Sequence, residues 1–391
     1  HELVAIEGCK FALDAPSDAQ WRDGEGLAQD LIDENGPGRS LEQLLNNTNR
    51  VMQERVTLRT SSRMRNHDMV GFMWNDGDND VSYWMPQGIT GSEDGGDALG
   101  VRRRTFVVSW YHKTNARPTK GVRLSFVDMN VNPPRYRHAL LIEPYASAAG
   151  TVNYGPAEYD GENPDALHAG GIVWYGPYMY VADTHQGMRV FDLRKIMEVD
   201  DVDNHDRIGV FNGVTHAAGY RYVIPQIARY NRARDPADGR YISCGVKFSS
   251  IGLDRTRDPH TILSAEYFSD ERYGRVVNWQ LNPQTYRLDA RAGTVEGRRI
   301  VQGREAAVTG ETKMQGALTA HGIYYISSSS QTATRYGRLY RNRIDRGESE
   351  ITAWPYGCED LYYEGNRNLI WTATEFSGSR ELVGIPRQNS P

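Results

Sequence analysis

Cysteine is nearly absent: Cys9, Cys244 and Cys358 are the only three in a chain of 391 residues. No Cys-x-x-Cys pair exists, which excludes a cysteine-built zinc or redox centre. One disulfide with one thiol left over is the state expected outside the cell. The pairing proposed is Cys9–Cys358, which would tie the N-terminus to the last repeat. Lysine is also scarce, with six residues among 45 lysines and arginines. Arginine grips a flat carboxylate with two parallel hydrogen bonds, although a general compositional bias accounts for the same count. No run approaches the ~20 apolar residues of a membrane helix. A basic surplus is missing too: net charge is −5 and pI is about 6.1, against a nucleic-acid partner. There is no Gly-x-Ser-x-Gly elbow and no phosphate loop.

The chain opens on His1 rather than Met, and the expectation is a cleaved secretory signal and an extracellular monomer. Asn46-Asn47-Thr48 is a glycosylation acceptor in a eukaryotic host. Closed all-β folds often run this long as one unit, so residues 1–391 are expected to form a single domain.

What is present is an internal repeat. Five segments share an apolar strand ending in a small residue, a polar or aromatic cluster, a turn and a further strand. They are Phe106-Val-Val-Ser-Trp-Tyr-His112, Tyr180-Val-Ala-Asp-Thr-His185, Ile262-Leu-Ser-Ala-Glu-Tyr-Phe268, Tyr325-Ile-Ser-Ser-Ser-Ser-Gln331 and Ile370-Trp-Thr-Ala-Thr-Glu-Phe376. Ser109, Ala182, Ala265, Ser328 and Ala373 form one column. Each segment follows another short strand, beginning at Gln87, Gly170, Phe248, Gln315 and Glu359, and outer strands such as Arg137–Ile142 and Tyr222–Ile227 often follow. Short antiparallel strands at this spacing predict an all-β propeller of four-stranded blades, five by direct count. The last repeat has three strands, and residues 80–84 are expected to supply its fourth and close the ring. Residues 1–79 read as an extension or an irregular blade, with an amphipathic helix over Leu41–Val56 and candidate strands near Val56–Arg59 and Met69–Trp74. The insert Ala146–Leu167 reads as a loop overhanging one face.

In a propeller the starts of first strands and the ends of second strands meet at one mouth. Those positions gather Gln87, Trp110, Tyr111, His112, His168, Asp183, Thr184, His185, Lys247, Ser249, Glu266, Tyr267, Gln315, Ser330, Gln331, Glu359, Asp360, Thr374 and Glu375. His112, His168 and His185 are candidate proton carriers, since His titrates nearest neutral pH. His67 joins them if the N-terminal region forms an extra blade; otherwise it is a surface residue. Trp110, Tyr111 and Tyr267 are candidate sugar platforms. Asp183, Glu266, Glu359 and Glu375 allow a glycoside hydrolase, which needs two carboxyls at set separation. A four-histidine iron centre is disfavoured, because only His168 starts a first strand.

The blade Leu167-His-Ala-Gly-Gly-Ile-Val-Trp-Tyr-Gly with Tyr180-Val-Ala-Asp-Thr-His-Gln-Gly-Met-Arg-Val-Phe-Asp-Leu, and Leu253-Asp-Arg-Thr further on, resembles a group of secreted fungal and actinobacterial propeller proteins. Within it the chain is similar to the fungal polysaccharide lyases that release rhamnose capping glucuronic acid in gum arabic. That family has seven blades, against the five counted here. The resemblance implies β-elimination: a base removes the C5 proton of a uronic acid, an acid assists departure at C4, and cations neutralise the carboxylate. It places His168 or His185 as base and acid, with His112, His67 and Tyr111 in reserve. Lys247 would hold the carboxylate, and Gln87, Trp110, Tyr267, Glu359 and Gln315 would bind an acidic plant polysaccharide. No cofactor is required, and a structural Ca²⁺ is left open. The readings beside this one are a hydrolase using Asp183, Glu266 or Glu359, and a non-catalytic sugar-binding propeller.

Overall fold

The computed structural model describes residues 2–8, 11–113, 119–158, 167–234, 240, 244–269, 273–292, 298–329, 336–347 and 349–388. It is a five-bladed β-propeller. Blade 1 runs Trp84–Gly91, Thr105–His112, Val122–Asp128 and Arg135–Ala146, all antiparallel. Blade 2 is Ile172–Tyr175, Tyr178–Asp183, Gly187–Asp192 and Tyr222–Arg232. Blade 3 is Ser250–Asp254, Thr261–Ala265, Arg275–Asn282 and Arg299–Thr309. Blade 4 is Met314–Ala320, Ile323–Ser328, Arg338–Asn342 and Glu350–Ala353. Blade 5 is Cys358–Glu364, Leu369–Thr374 and Glu381–Pro386, completed by Val70–Met73. Each first strand contacts the next around the axis, and that of blade 5 returns to that of blade 1.

The axis is crowded enough to dictate residue type. A Cβ on Gly171 would lie 2.1 Å from the Ile251 amide of blade 3, and one on Gly316 would lie 2.5 Å from the Asp360 Cα of blade 5. Only glycine lets the backbones approach so closely. The predicted column of small residues sits just outside: Ser109, Ala182, Ala265 and Ala373 are buried. Around it, Val, Ile, Trp and Tyr pack between the blades.

Ring closure differs from the expectation in one place. The fourth strand of blade 5 is Val70–Met73, not residues 80–84, because Trp84 already opens the first strand of blade 1. The turn Asp76–Asn79 between them is clamped into blade 1. Asp78 accepts from Arg123 at 2.8 Å and from Tyr136 at 2.6 Å, and lies 3.1 Å from both His138 and Arg50. These cations and hydrogen bonds outweigh burial and hold its carboxyl below the ordinary range.

The rest of the N-terminal region spreads over the outer walls and builds no extra blade. Leu3–Ile6 adds to the edge of blade 3, and Ala12–Asp14 joins the outer strands of blades 2 and 3. The long helix is Asp18–Asn35, started by a capping box between Ser17 and Gln20 and burying Trp21, Ala28 and Leu31. The expected helix over Leu41–Val56 stops at Leu45. Asn46 to Asn49 bond more readily to nearby backbone than to a helix, and Arg50–Val51 pairs with blade 1. Leu58–Arg63 is a helix, not a strand. The insert Ala146–Leu167 carries the strand Val152–Pro156, which folds back on Arg135–Ala146; residues 159–166 lie outside the described residues.

Cys358 is a free, buried thiol near the carbonyl of Ser328, and burial pushes it well up from its ordinary range. Cys9 lies outside the described residues. Its neighbour Gly8 packs on the backbone of Arg304 and Glu305 in blade 3, and the expected Cys9–Cys358 tie falls outside the described residues with it. Strand pairing closes the ring.

Candidate functional site

A regular strand sends neighbouring side chains to opposite faces, so it can aim only alternate residues at one place. Three of the five first strands break that rule at the mouth. The register slips between Pro86 and Ile89, between Met314 and Gly316, and between Cys358 and Leu361. Such irregularities re-aim side chains, and they recur beside functional sites. Gln87, Gln315, Glu359 and Asp360 sit in these slips, and they converge.

Gln315 donates to Glu359 at 3.1 Å, and Gln87 donates to Glu375 at 3.4 Å and to the Pro86 carbonyl at 3.0 Å. One Asp360 oxygen accepts from the amides of Ile89 at 3.2 Å and Ile172 at 3.3 Å, pinning blades 1 and 2 to blade 5. Among the described residues, Oε2 of Glu359 and the other Asp360 oxygen are buried without a geometric hydrogen-bond partner. Burial, then the charges of Glu375 and Asp360, hold the Glu359 carboxyl well above its ordinary range. Burial also raises Glu375, but Lys113, Arg380 and Gln87 pull it back. The proton therefore rests on Glu359, and Glu375, only part-buried, is the member that reaches solvent. Arg380, fully buried, fixes the turn by donating to the Glu375 carbonyl at 2.8 Å. Burial lowers its own pKa to about 10.

The other carboxyls of the hydrolase reading are occupied. Asp183 accepts from buried Arg189 at 2.9 Å, and Glu266 is gripped by Arg275 at 2.6 and 2.7 Å and by the Lys247 amide at 2.9 Å. Both are structural ion pairs holding strand ends.

Among the histidines, His168 is exposed and tilts against Tyr111, ring centroids 4.6 Å apart, across the gap between blades 1 and 2. His185 stands at the end of the second strand of blade 2, half-buried, its carbonyl taken by Arg232. His112 points to the face opposite Tyr111, as strand alternation requires. It is buried against Tyr83 and Trp84, accepts from the Lys120 amide at 3.2 Å, and is lowered to about 4 by burial, Lys120 and Arg123. It is a neutral wall residue. His67 precedes the closing strand at the end away from the mouth, so it does not join the site. Trp110 is fully buried, donating to Ser125 at 2.7 Å and packing on Trp74 and Arg123. It offers no face to a sugar; alternation turns it inward where Tyr111 turns out.

Tyr267 is half-buried, its amide donating to Ser249 at 2.9 Å, and the Lys247 ammonium sits 4.6 Å over the Phe268 ring. Phe376, tilted against Tyr356 with ring centroids 4.6 Å apart, adds an aromatic edge beside Glu375 that the sequence reading did not single out. Ser330 and Gln331 lie outside the described residues. Lys113 was also missed, though a signal existed. Lys113, Lys120, Lys247 and Lys313 all adjoin strand ends at the mouth, so four of six lysines gather on one face. Among the described residues no group of three or more His, Cys, Asp and Glu side chains is placed to hold a metal ion.

No family model and no curated protein matches the chain. The solved structures that it overlaps include the following. One is the β-propeller domain of Myceliophteria thermophila Cps50 (Swd1), at 8% identity and TM-score 0.32, covering 72% of this chain and 94% of that one. The second is an α-L-arabinofuranosidase from Clostridium thermocellum, at 7% and 0.33, covering 74% and 81%. The third is a GH43_1 enzyme from Xanthomonas citri, at 9% and 0.34, covering 84% and 93%. The propeller assignment itself rests on the blade connectivity described above.

Proposed function

We propose that the chain is a secreted glycan-cleaving enzyme that hydrolyses an acidic polysaccharide at the propeller mouth, with Glu375 as the carboxylate base that takes a proton from the attacking water. The observation that carries this is the convergence of three slipped strands on one carboxyl pair. Nothing in blade packing requires two glutamates to adjoin there, and placing them together costs free energy, a cost that proteins carry most often at functional sites. Glu359 keeps its proton behind Glu375 and sets the affinity of its neighbour, so it is a positioning residue. With Asp183 and Glu266 neutralised, the proton donor to the leaving oxygen comes from the blade 2 rim, where His168 and His185 stand. Aromatic edges at Tyr111, Tyr267 and Phe376 suit sugar faces, and the lysines of the mouth suit a carboxylated chain.

One observation favours the lyase reading as the second: the Tyr111–His168 contact pairs the two side-chain types that β-elimination of a uronate uses. The two are separated by product chemistry. Hydrolysis of an acidic plant polysaccharide in ¹⁸O-water labels the new reducing end and creates no unsaturated uronate absorbing in the ultraviolet. Elimination does the reverse. Full turnover by Glu375→Gln overturns the hydrolase reading; unsaturated product, lost in His168→Ala, establishes the other.

A further inference from the structure

At the end of the propeller away from the mouth lies a cleft of about 510 Å³ whose lining includes five arginines and no lysine: Arg102, Arg103, Arg104, Arg255 and Arg367. The first three leave the loop before the second strand of blade 1. Arg367 follows the first strand of blade 5, and Arg255 follows that of blade 3. The topology thus brings cations from three blades to one place, which no local sequence run achieves.

The acids of the cleft are largely spoken for. Glu364 takes Arg104 at 2.8 Å and Trp371 at 2.9 Å, with Arg367 at 3.5 Å. Glu93 accepts the amides of Gly365 at 2.6 Å and Asn366 at 3.0 Å. Arg103 is held by Asp128 and Glu42, each at 3.1 Å. The exposed guanidiniums of Arg102 and Arg255 have no ion pair or hydrogen bond among the described residues, and Asp97 is the remaining acid on the rim. The paired members are fixed and the unpaired ones face solvent. This is the arrangement in which a rigid wall presents free planar forks, and such forks take oxyanions with two bonds each. The volume fits a ligand of small-oligosaccharide size.

We propose that this cleft is a binding site for a small polyanion, its carboxylate or sulfate groups taken by Arg102 and Arg255. The site is separate from the mouth, and the proposal does not rest on the reaction assigned there.

Calorimetric titration of the full chain at low salt with a trigalacturonate, a sulfated disaccharide, inorganic phosphate and neutral maltotriose tests it. At least one of the three anions binds, maltotriose does not, and added salt weakens binding. The double variant Arg102→Ala/Arg255→Ala lowers the affinity at least tenfold, while Arg102→Lys/Arg255→Lys recovers part of it. Both positions are exposed, so thermal midpoints of the variants stay near the parent and confirm folding. Glu375→Gln leaves binding intact. Preference for trigalacturonate over the sulfated sugar identifies a carboxylate ligand, and the opposite order a sulfate. Equal binding by the arginine variants, equal binding of maltotriose, or no binding of any anion overturns the proposal.

Discussion

Gln315 on blade 4 donates to Glu359 on blade 5 at 3.1 Å, and both residues sit where their strands slip register. The bond fixes one oxygen of Glu359, and the other is buried without a geometric partner among the described residues. Glu375→Gln should lower kcat by about 10²–10⁴-fold, the usual worth of a positioned proton carrier. Glu359→Ala removes the group that helps keep Glu375 ionised, so the acid limb of its pH–rate profile should move upward. An unmoved limb would separate the two carboxyls.

Trp110 and Tyr111 are neighbours in sequence with opposite fates. Trp110→Ala should cost about 3–5 kcal/mol as a large core deletion, seen in denaturant melts. Tyr111→Ala, half-buried at the edge of the core, should cost clearly less and raise KM. Equal destabilisation by both would contradict the placement of Tyr111 at the surface of the mouth.

Gly24 lies within the helix Asp18–Asn35, where alanine is ordinarily worth about 1 kcal/mol. A Cβ there would fall 1.9 Å from the carbonyl oxygen of Ile227. Backbone cannot yield as a flexible side chain does, so displacement of the helix should win, and Gly24→Ala should destabilise by about 1–3 kcal/mol. A stabilised variant would show that the helix does not press on blade 2.

Asp78 clamps the ring closure, and its removal leaves Arg123 buried beside Trp84 and Trp110 without its counter-charge. Asp78→Ala should cost about 3–5 kcal/mol. Its carboxyl is lowered in the folded state, so its contribution is present above the unfolded value of 3.8 and is lost as pH falls. The gap between parent and variant should therefore narrow in acid. A constant gap would mean that Asp78 acts by shape alone.

Asp94 has the opposite sign. Burial raises its carboxyl from 3.8 to about 7, with Thr90 donating to it at 2.9 Å. Its stability contribution is complete below the unfolded value and declines as pH rises through 7. Asp94→Asn keeps the acceptor and drops the charge. Its advantage over the parent should grow from near zero at pH 4 to on the order of 4 kcal/mol above pH 7. A pH-independent difference would refute the shift.

The repeat determined the blades. Strand alternation, the small column and the Gly-entered strands are local patterns that recur because every blade narrows to the same axis, and five blades are countable from them. Mouth membership followed too, since it needs only strand direction, and Gln87, Gln315 and Glu359 were named that way. The structure alone decided the rest. Ring closure by Val70–Met73 pairs residues far apart in the chain, and no periodic signal marks such a partner. Register slips decide which side chains meet, and they turn on the shape of the neighbouring blade. The roles of Asp183 and Glu266 were hidden because a carboxylate looks the same in sequence whether an arginine neutralises it or not. Sequence carries direction and periodicity; charge pairing and burial exist only once distant strands share an axis.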